Sequence, residues 1–186
     1  METIAYSLNQ HLKIRFQLSE DIVVISSLAN QDGSVCSNVN NKIVLFITSI
    51  EKETSMVQAS REISHSKYLM AKPIFINLYI MVSANFTGSN YGESLKFISS
   101  VIAFFQVNSV FNHQNHPDMN KGIDKIVLDI ENVPIQDLSS IWGMLGAKYV
   151  PSILYKVRMI TIDAKAEISR INEISEIDTI TKQEGG

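Results

Sequence analysis

The stretch Leu138–Asp163, LSSIWGMLGAKYVPSILYKVRMITID, constrains this chain most, because it specifies both ends of a short helix and the strand that follows. Leu138, Ile141, Trp142 and Leu145 recur at helical spacing, so one apolar stripe faces a core while Asp137, Ser139 and Ser140 face water. Pro134 lies where a first helical turn needs no N–H, and Gly146 lies where a left-handed cap is needed. Pro151 forces Val150 extended, and Ile153–Asp163 reads as a strand. Along it Tyr155, Val157 and Met159 share one face, Lys156 and Arg158 the other. Two readings of these cations stay open: both snorkel to solvent, or both present a charged contact to a neighbouring subunit.

The rest of the chain supplies a sheet and more helices. Ile4, Leu8, Leu12 and Phe16 are spaced by four, which predicts an amphipathic helix over 2–17 whose apolar face covers a sheet. Ile22–Leu28 is a short β-branched strand, followed by a turn at Asn30–Ser34 signalled by Asp32-Gly33. Lys42–Glu51 carries Ile43, Leu45 and Ile47 on one face and Val44, Phe46 and Ile50 on the other, the pattern of a strand covered on both sides. Glu53–Lys72 is polar, with at most a turn of helix around Met56–Ile63. A connection of that length is usually functional or mobile, and it reads as an excursion toward neighbouring subunits or as a solvated loop.

Pro73–Phe86 is a long strand with Ile74, Ile76, Leu78, Ile80 and Val82 on a core face and Phe75, Asn77, Tyr79, Met81 and Ser83 on a mixed one. Asn90 and Glu93 form a capping-box-like pair before a largely buried helix to about Gln106. Its stripe is Tyr91, Leu95, Ile98, Ile102 and Phe105, widened by Phe97, Val101 and Phe104. Val107–Gly122 reads as a loop, and Ile126, Leu128 and Ile130 mark a half-buried strand. Strands arriving in runs favour an α+β fold with about five strands and helices packed against them, over a doubly wound parallel one. The tail repeats Ile168, Ile171, Ile174, Ile177 and Ile180 every third residue, a step that suits a helix poorly, so an extended arm with one sticky face is expected. The domain is placed at 1–163 and the arm at 164–186.

A chain of 186 residues with 45% hydrophobic content suits one domain with a sizeable core. A net charge of -3 gives no global attraction to nucleic acid or anionic lipid. Cys36 is the only cysteine, which rules out an intrachain disulfide and a zinc–thiolate cluster. The first residues lack the basic start and apolar run of a conventional secretory signal, and the longest apolar runs, Pro73–Ala84 and Phe97–Val107, fall short of the ~20 residues a spanning helix needs. No direct membrane insertion is expected.

The motifs carry no recognisable chemistry. No G-x-S-x-G, phosphate-loop or dinucleotide-binding pattern occurs. His113, His116 and Asp118 are the nearest approach to a metal site, but two His and one Asp in a loop often arise by chance, and a surface loop is the preferred reading. His11 and His65 lack companions in the sequence. Glu51 with Glu53 and Asp129 with Glu131 lie on strand faces and read as solvated edges. No enzymatic role and no cofactor are expected.

The strings IVVISSLANQDGS, KIVLFITSIEKET, PIFINLYIMVSANF, NYGESLKFISSVIAFFQ and the opening stretch, taken in order from residue 1 to about Asp163, resemble one family. It is the domain-of-unknown-function family at the N-terminal part of the tube-terminator, or cap, protein of phage-tail-like contractile injection systems. The resemblance implies a mixed, mainly antiparallel sheet similar to phage tail terminators. It also implies a sixfold homo-oligomeric ring on the tube end away from the baseplate, touching the inner tube protein and the sheath protein. Such a protein would assemble in a bacterial cytoplasm and end in a released or cell-associated particle. An adaptor joining the particle to a membrane or cargo is the alternative role, and a small metal-dependent enzyme a remote one. The family offers no catalytic residues; the candidate contact residues come from this sequence, as Glu51, Lys52, Glu53 and Thr54 at the start of the polar excursion, Asn77 and Tyr79 on the mixed strand face, and Lys156 with Arg158.

Overall fold

The computed structural model describes residues 1–30, 32–34, 36–53, 74–86, 88–123 and 125–162. The excursion over 54–72, with Thr54 and His65, and the arm over 164–186 lie outside the described residues. In chain order the elements are α1 (Glu2–Phe16), β1 (Val23–Ile25), β2 (Lys42–Lys52), β3 (Ile74–Asn85), α2 (Tyr91–Val107), β4 (Val110–Asn112), β5 (Lys125–Ile130), α3 (Ile135–Leu145) and β6 (Ser152–Ile162). The strands form one six-stranded sheet in the order β1-β2-β3-β6-β5-β4. Only β1 and β2 run parallel; the other pairs are antiparallel. The fold is therefore α+β with a mixed, mainly antiparallel sheet, and the strand beyond the expected five is β4.

The two faces of the sheet carry separate cores. On the first, α1 and α2 bury Leu8, Leu12, Phe97, Val101 and Phe105 against Ile43, Leu45, Ile80, Val82, Tyr155 and Val157. On the second, Trp142 of α3 packs with Val44, Phe46, Met81 and Leu154. Both faces of β2 near Ile43–Phe46 are thus covered, as its double apolar pattern implies. The mixed face of β3 is covered in part, because Met81 packs in the α3 core and Ser83 is buried. Among the described residues no helix is long and apolar enough to cross a membrane.

Local chemistry fixes the ends of these elements. Gly146 adopts φ 62° and caps α3 behind Pro134, as its position requires of a residue without Cβ. Asn9 is a buried anchor that periodicity does not reveal. Its Oδ1 accepts from the amides of Ile22 (2.9 Å) and Val23 (3.1 Å), and its Nδ2 donates to Asp21 (2.7 Å), fastening α1 to the start of β1. The Asp32-Gly33 turn forms, with Gly33 at φ 80° and the Asp32 carboxylate accepting from Ser34. It does not close a hairpin, because β1 and β2 are parallel and the turn lies within their crossover.

Several expectations need correcting. β1 spans three residues rather than Ile22–Leu28. Glu93 pairs with Lys96 (2.7 Å), and Asn90 makes no side-chain cap, so the capping box does not form. Helix α2 buries Ser94, Phe97, Ser100, Val101, Phe104 and Phe105, leaving Tyr91 and Leu95 exposed; the face expected to widen the stripe is its centre. Part of the expected 107–122 loop is β4, whose Phe111 is fully buried.

Two register shifts matter most. An extra residue in β2 between Ile47 and Ser49 is steadied by Thr48 Oγ1 donating to the Tyr79 carbonyl (3.2 Å). Beyond it Ile50 stands opposite Leu78, so it returns to the face of Ile47 instead of joining Val44 and Phe46. A matching shift in β6 falls between the residues opposite Leu78 and Ile76, at Arg158 and Met159.

Candidate assembly interface

The strand segments beyond these shifts bring together most of the side chains singled out in the sequence. Ser49 stands opposite Tyr79, Tyr79 opposite Lys156, and Lys156 opposite Asp129, so one row crosses four strands. Glu51 stands opposite Asn77 in the next row. All lie on the second face of the sheet, past the part that α3 covers, because the β2 shift puts Glu51 on the side of Asn77 and Tyr79. A polar ladder results at the end of the sheet where β2 runs toward residue 53 and β6 toward residue 162.

Each charge in the ladder has a partner within the chain. The Tyr79 hydroxyl donates to Glu51 Oε2 (2.9 Å), and Asn77 Nδ2 donates to Glu53 Oε2 (2.7 Å). The Lys156 ammonium lies 5.3 Å from the centre of the Tyr79 ring, a cation–π distance. Hydrogen bonding to Tyr79, followed by the Glu131 and Glu51 carboxylates, holds the Lys156 pKa above its ordinary value. Arg158 pairs with Asp129 across β5 and β6, and that contact raises the guanidinium pKa. The Arg158 and Asp129 side chains remain 49% and 43% exposed, so the pair is hydrated and contributes at most about 1 kcal/mol.

Asn77 is the exception to hydration. It is 3% exposed, and its Oδ1 finds no partner among the described residues although its amide nitrogen is bound. A strand alternation pattern marks Asn77 as facing the mixed side, but nothing in the sequence indicates its burial. Lys52 falls on the opposite, apolar side, facing Ile76, and Thr54 lies outside the described residues. The sequence also left Asp129 as a solvated strand edge; its role as the Arg158 partner depends on a register that only the fold supplies.

The residues weighed for chemistry are placed apart. His116 stacks on Phe111 with ring centres 4.6 Å apart and lies 3.4 Å from the Ser7 hydroxyl, which packs the 113–119 loop against α1. His11 sits between α1 and α2, against Phe104 and near Ser100. Cys36 is buried and contacts Asn30 and Ser27. Among the described residues no three His, Cys, Asp or Glu side chains converge to hold a metal ion. What the ladder offers is a balanced set of donors, acceptors and charges on a rigid sheet, suited to contacts with another protein surface.

A family model described as the Pvc16 N-terminal domain matches residues 1–176. No curated protein matches the chain.

Proposed function

The chain belongs to the Pvc16 N-terminal domain family, a phage-tail-like family of structural components, and from that membership we propose that it is the cap that terminates the tube and sheath of a contractile injection particle. The family match over residues 1–176 is the observation that carries this reading. In it, copies of the chain form a sixfold ring on the tube end distal to the baseplate, meeting the inner tube protein and the sheath protein. The ring assembles in a bacterial cytoplasm and leaves as part of the particle. The role is structural, without catalysis or cofactor.

The geometry supports the reading in two ways. A ring needs two different patches per subunit that recognise each other. The polar ladder of Glu51, Glu53, Asn77, Tyr79, Lys156 and Arg158 supplies one such patch, fixed by its internal hydrogen bonds before any partner arrives. The sheet that carries it is covered on both faces at its other end, so the patch rests on a firm support.

Deleting the gene from a producing strain and imaging the particles tests this role. Tubes and sheaths of uncontrolled length, restored to one length by the native gene, are the expected outcome. Particles of normal length and capped appearance without the protein would overturn it, and gold-labelled protein found away from the tube end would favour the adaptor role.

A further inference from the structure

We propose that the edge of β2 over Ile47–Lys52, unpaired on its outer side among the described residues, accepts a segment from residues 163–186 of a second copy of this chain. The inference needs only that two copies meet, and it stands or falls independently of any role in a particle.

The sheet treats its edges unequally. At one end of the strand order, Ser109 accepts from the Leu128 amide, so by alternation Phe111 bonds β5 while Val110 and Asn112 direct their backbone groups outward. The side chain of Asn115 takes both: Nδ2 donates to the Val110 carbonyl (2.7 Å), and Oδ1 accepts from the Asn112 amide (2.8 Å). One amide side chain thus occupies the groups that an added strand would use. At the other end, Asn9 Oδ1 occupies the amides of Ile22 and Val23.

Among the described residues strand β2 lacks such closure over half its length. β1 pairs with it only over Ile43–Leu45, while β3 continues alongside to Lys52. The Glu53 amide donates to the Phe75 carbonyl, which places Ser49, Glu51 and Glu53 in the β3 ladder and turns the backbone groups of Ile50 and Lys52 away from it. No described strand meets them there. Along this edge Ile47 and Ile50 are 41% and 62% exposed, both on the apolar face because of the shift at Thr48.

The position of the chain names the occupant. β6 is described to Ile162, which stands opposite Ile74 at the same end of the sheet, and residues 163–186 follow. Within them Ile177–Thr181, IDTIT, is β-branched at every position but Asp178, a composition that suits strand pairing. In the strand order β3 and β2 both lie between β6 and that edge, so a segment leaving β6 would have to pass over two strands to pair with its own chain. A second copy presents the edge without that crossing.

Photo-cross-linking of the full-length chain with a benzophenone residue in place of Ser49 tests the proposal. The expected product is a dimer on a denaturing gel whose linked peptide maps to residues 163–186. Combining the probe with Ile50→Pro, whose amide faces away from β3, should cut that product at least tenfold; Ile50→Lys serves if the proline variant melts early. Links only within one chain, links to another segment, or an undiminished yield in both variants would overturn it.

Discussion

The two ends of the sheet are built on different principles, although the same three long strands run through both. Where α1, α2 and α3 lie against it, side chains such as Leu45, Met81 and Phe111 are fully buried, and stability comes from apolar area. Around the shifts at Thr48 and Arg158, α3 gives way to a ladder of polar side chains, hydrated except at Asn77, on one face, while Ile47 and Ile50, on either side of Thr48, are exposed on the other. In the proposed reading each strand serves a core and a contact surface in turn. An added residue re-aims the alternation at the point where the role changes.

The largest expected effect lies in the covered end. Phe111→Ala removes a fully buried ring and should cost about 3–5 kcal/mol, read from urea unfolding. A cost under about 1 kcal/mol would break the comparison at its stronger side. Asn9→Ala should follow at about 2–3 kcal/mol, because two backbone amides lose their buried acceptor. The same variant tests acid sensitivity. Asn9, ahead of Lys13, holds the Asp21 carboxyl below its ordinary pKa, so the stabilisation is present above that value and is lost as pH falls through the lowered one. The acid-induced loss should shrink in Asn9→Ala.

Tyr155→Phe sharpens the covered end further. Burial pushes the Tyr155 phenol pKa upward, and its hydroxyl has no partner among the described residues. A raised folded pKa gives stability that is present below the ordinary tyrosine value and declines as pH rises above it. Removing the hydroxyl should leave neutral-pH stability unchanged or slightly higher and flatten the decline above about pH 10. At the hydrated end the effects are smaller. Arg158→Glu should change the unfolding free energy by less than about 1 kcal/mol while impairing ring formation in electron micrographs. Intact rings would show that the Arg158 pair faces solvent alone.

How much of this was legible in the sequence follows the same division. Helix α3, with Pro134, Trp142 and Gly146, was readable in full because propensity, cap and periodicity agree there. The register of β2 was not readable past Ile47, since an inserted residue has no composition of its own; a threonine in a strand gives no sign of a bulge. Phe111 was hidden because three residues are too few to show alternation. On α2 apolar residues nearly encircle the helix, so periodicity could not choose between Leu95 and Phe97 as its buried side. The ladder is partly visible in the sequence: Glu51, Glu53, Asn77, Tyr79, Lys156 and Arg158 stand out, but the pairing of Tyr79 with Glu51 and of Arg158 with Asp129 depends on a register set by the fold.

Sedimentation velocity of full-length Ile50→Lys beside the native chain, paired with thermal unfolding of both, most directly tests the claim that one end holds the fold and the other serves assembly. The native chain should sediment as an oligomer, and the variant should sediment as a monomer while melting within about 2 °C of it. A variant that keeps the oligomer, or that loses it only by melting far lower, would contradict the division.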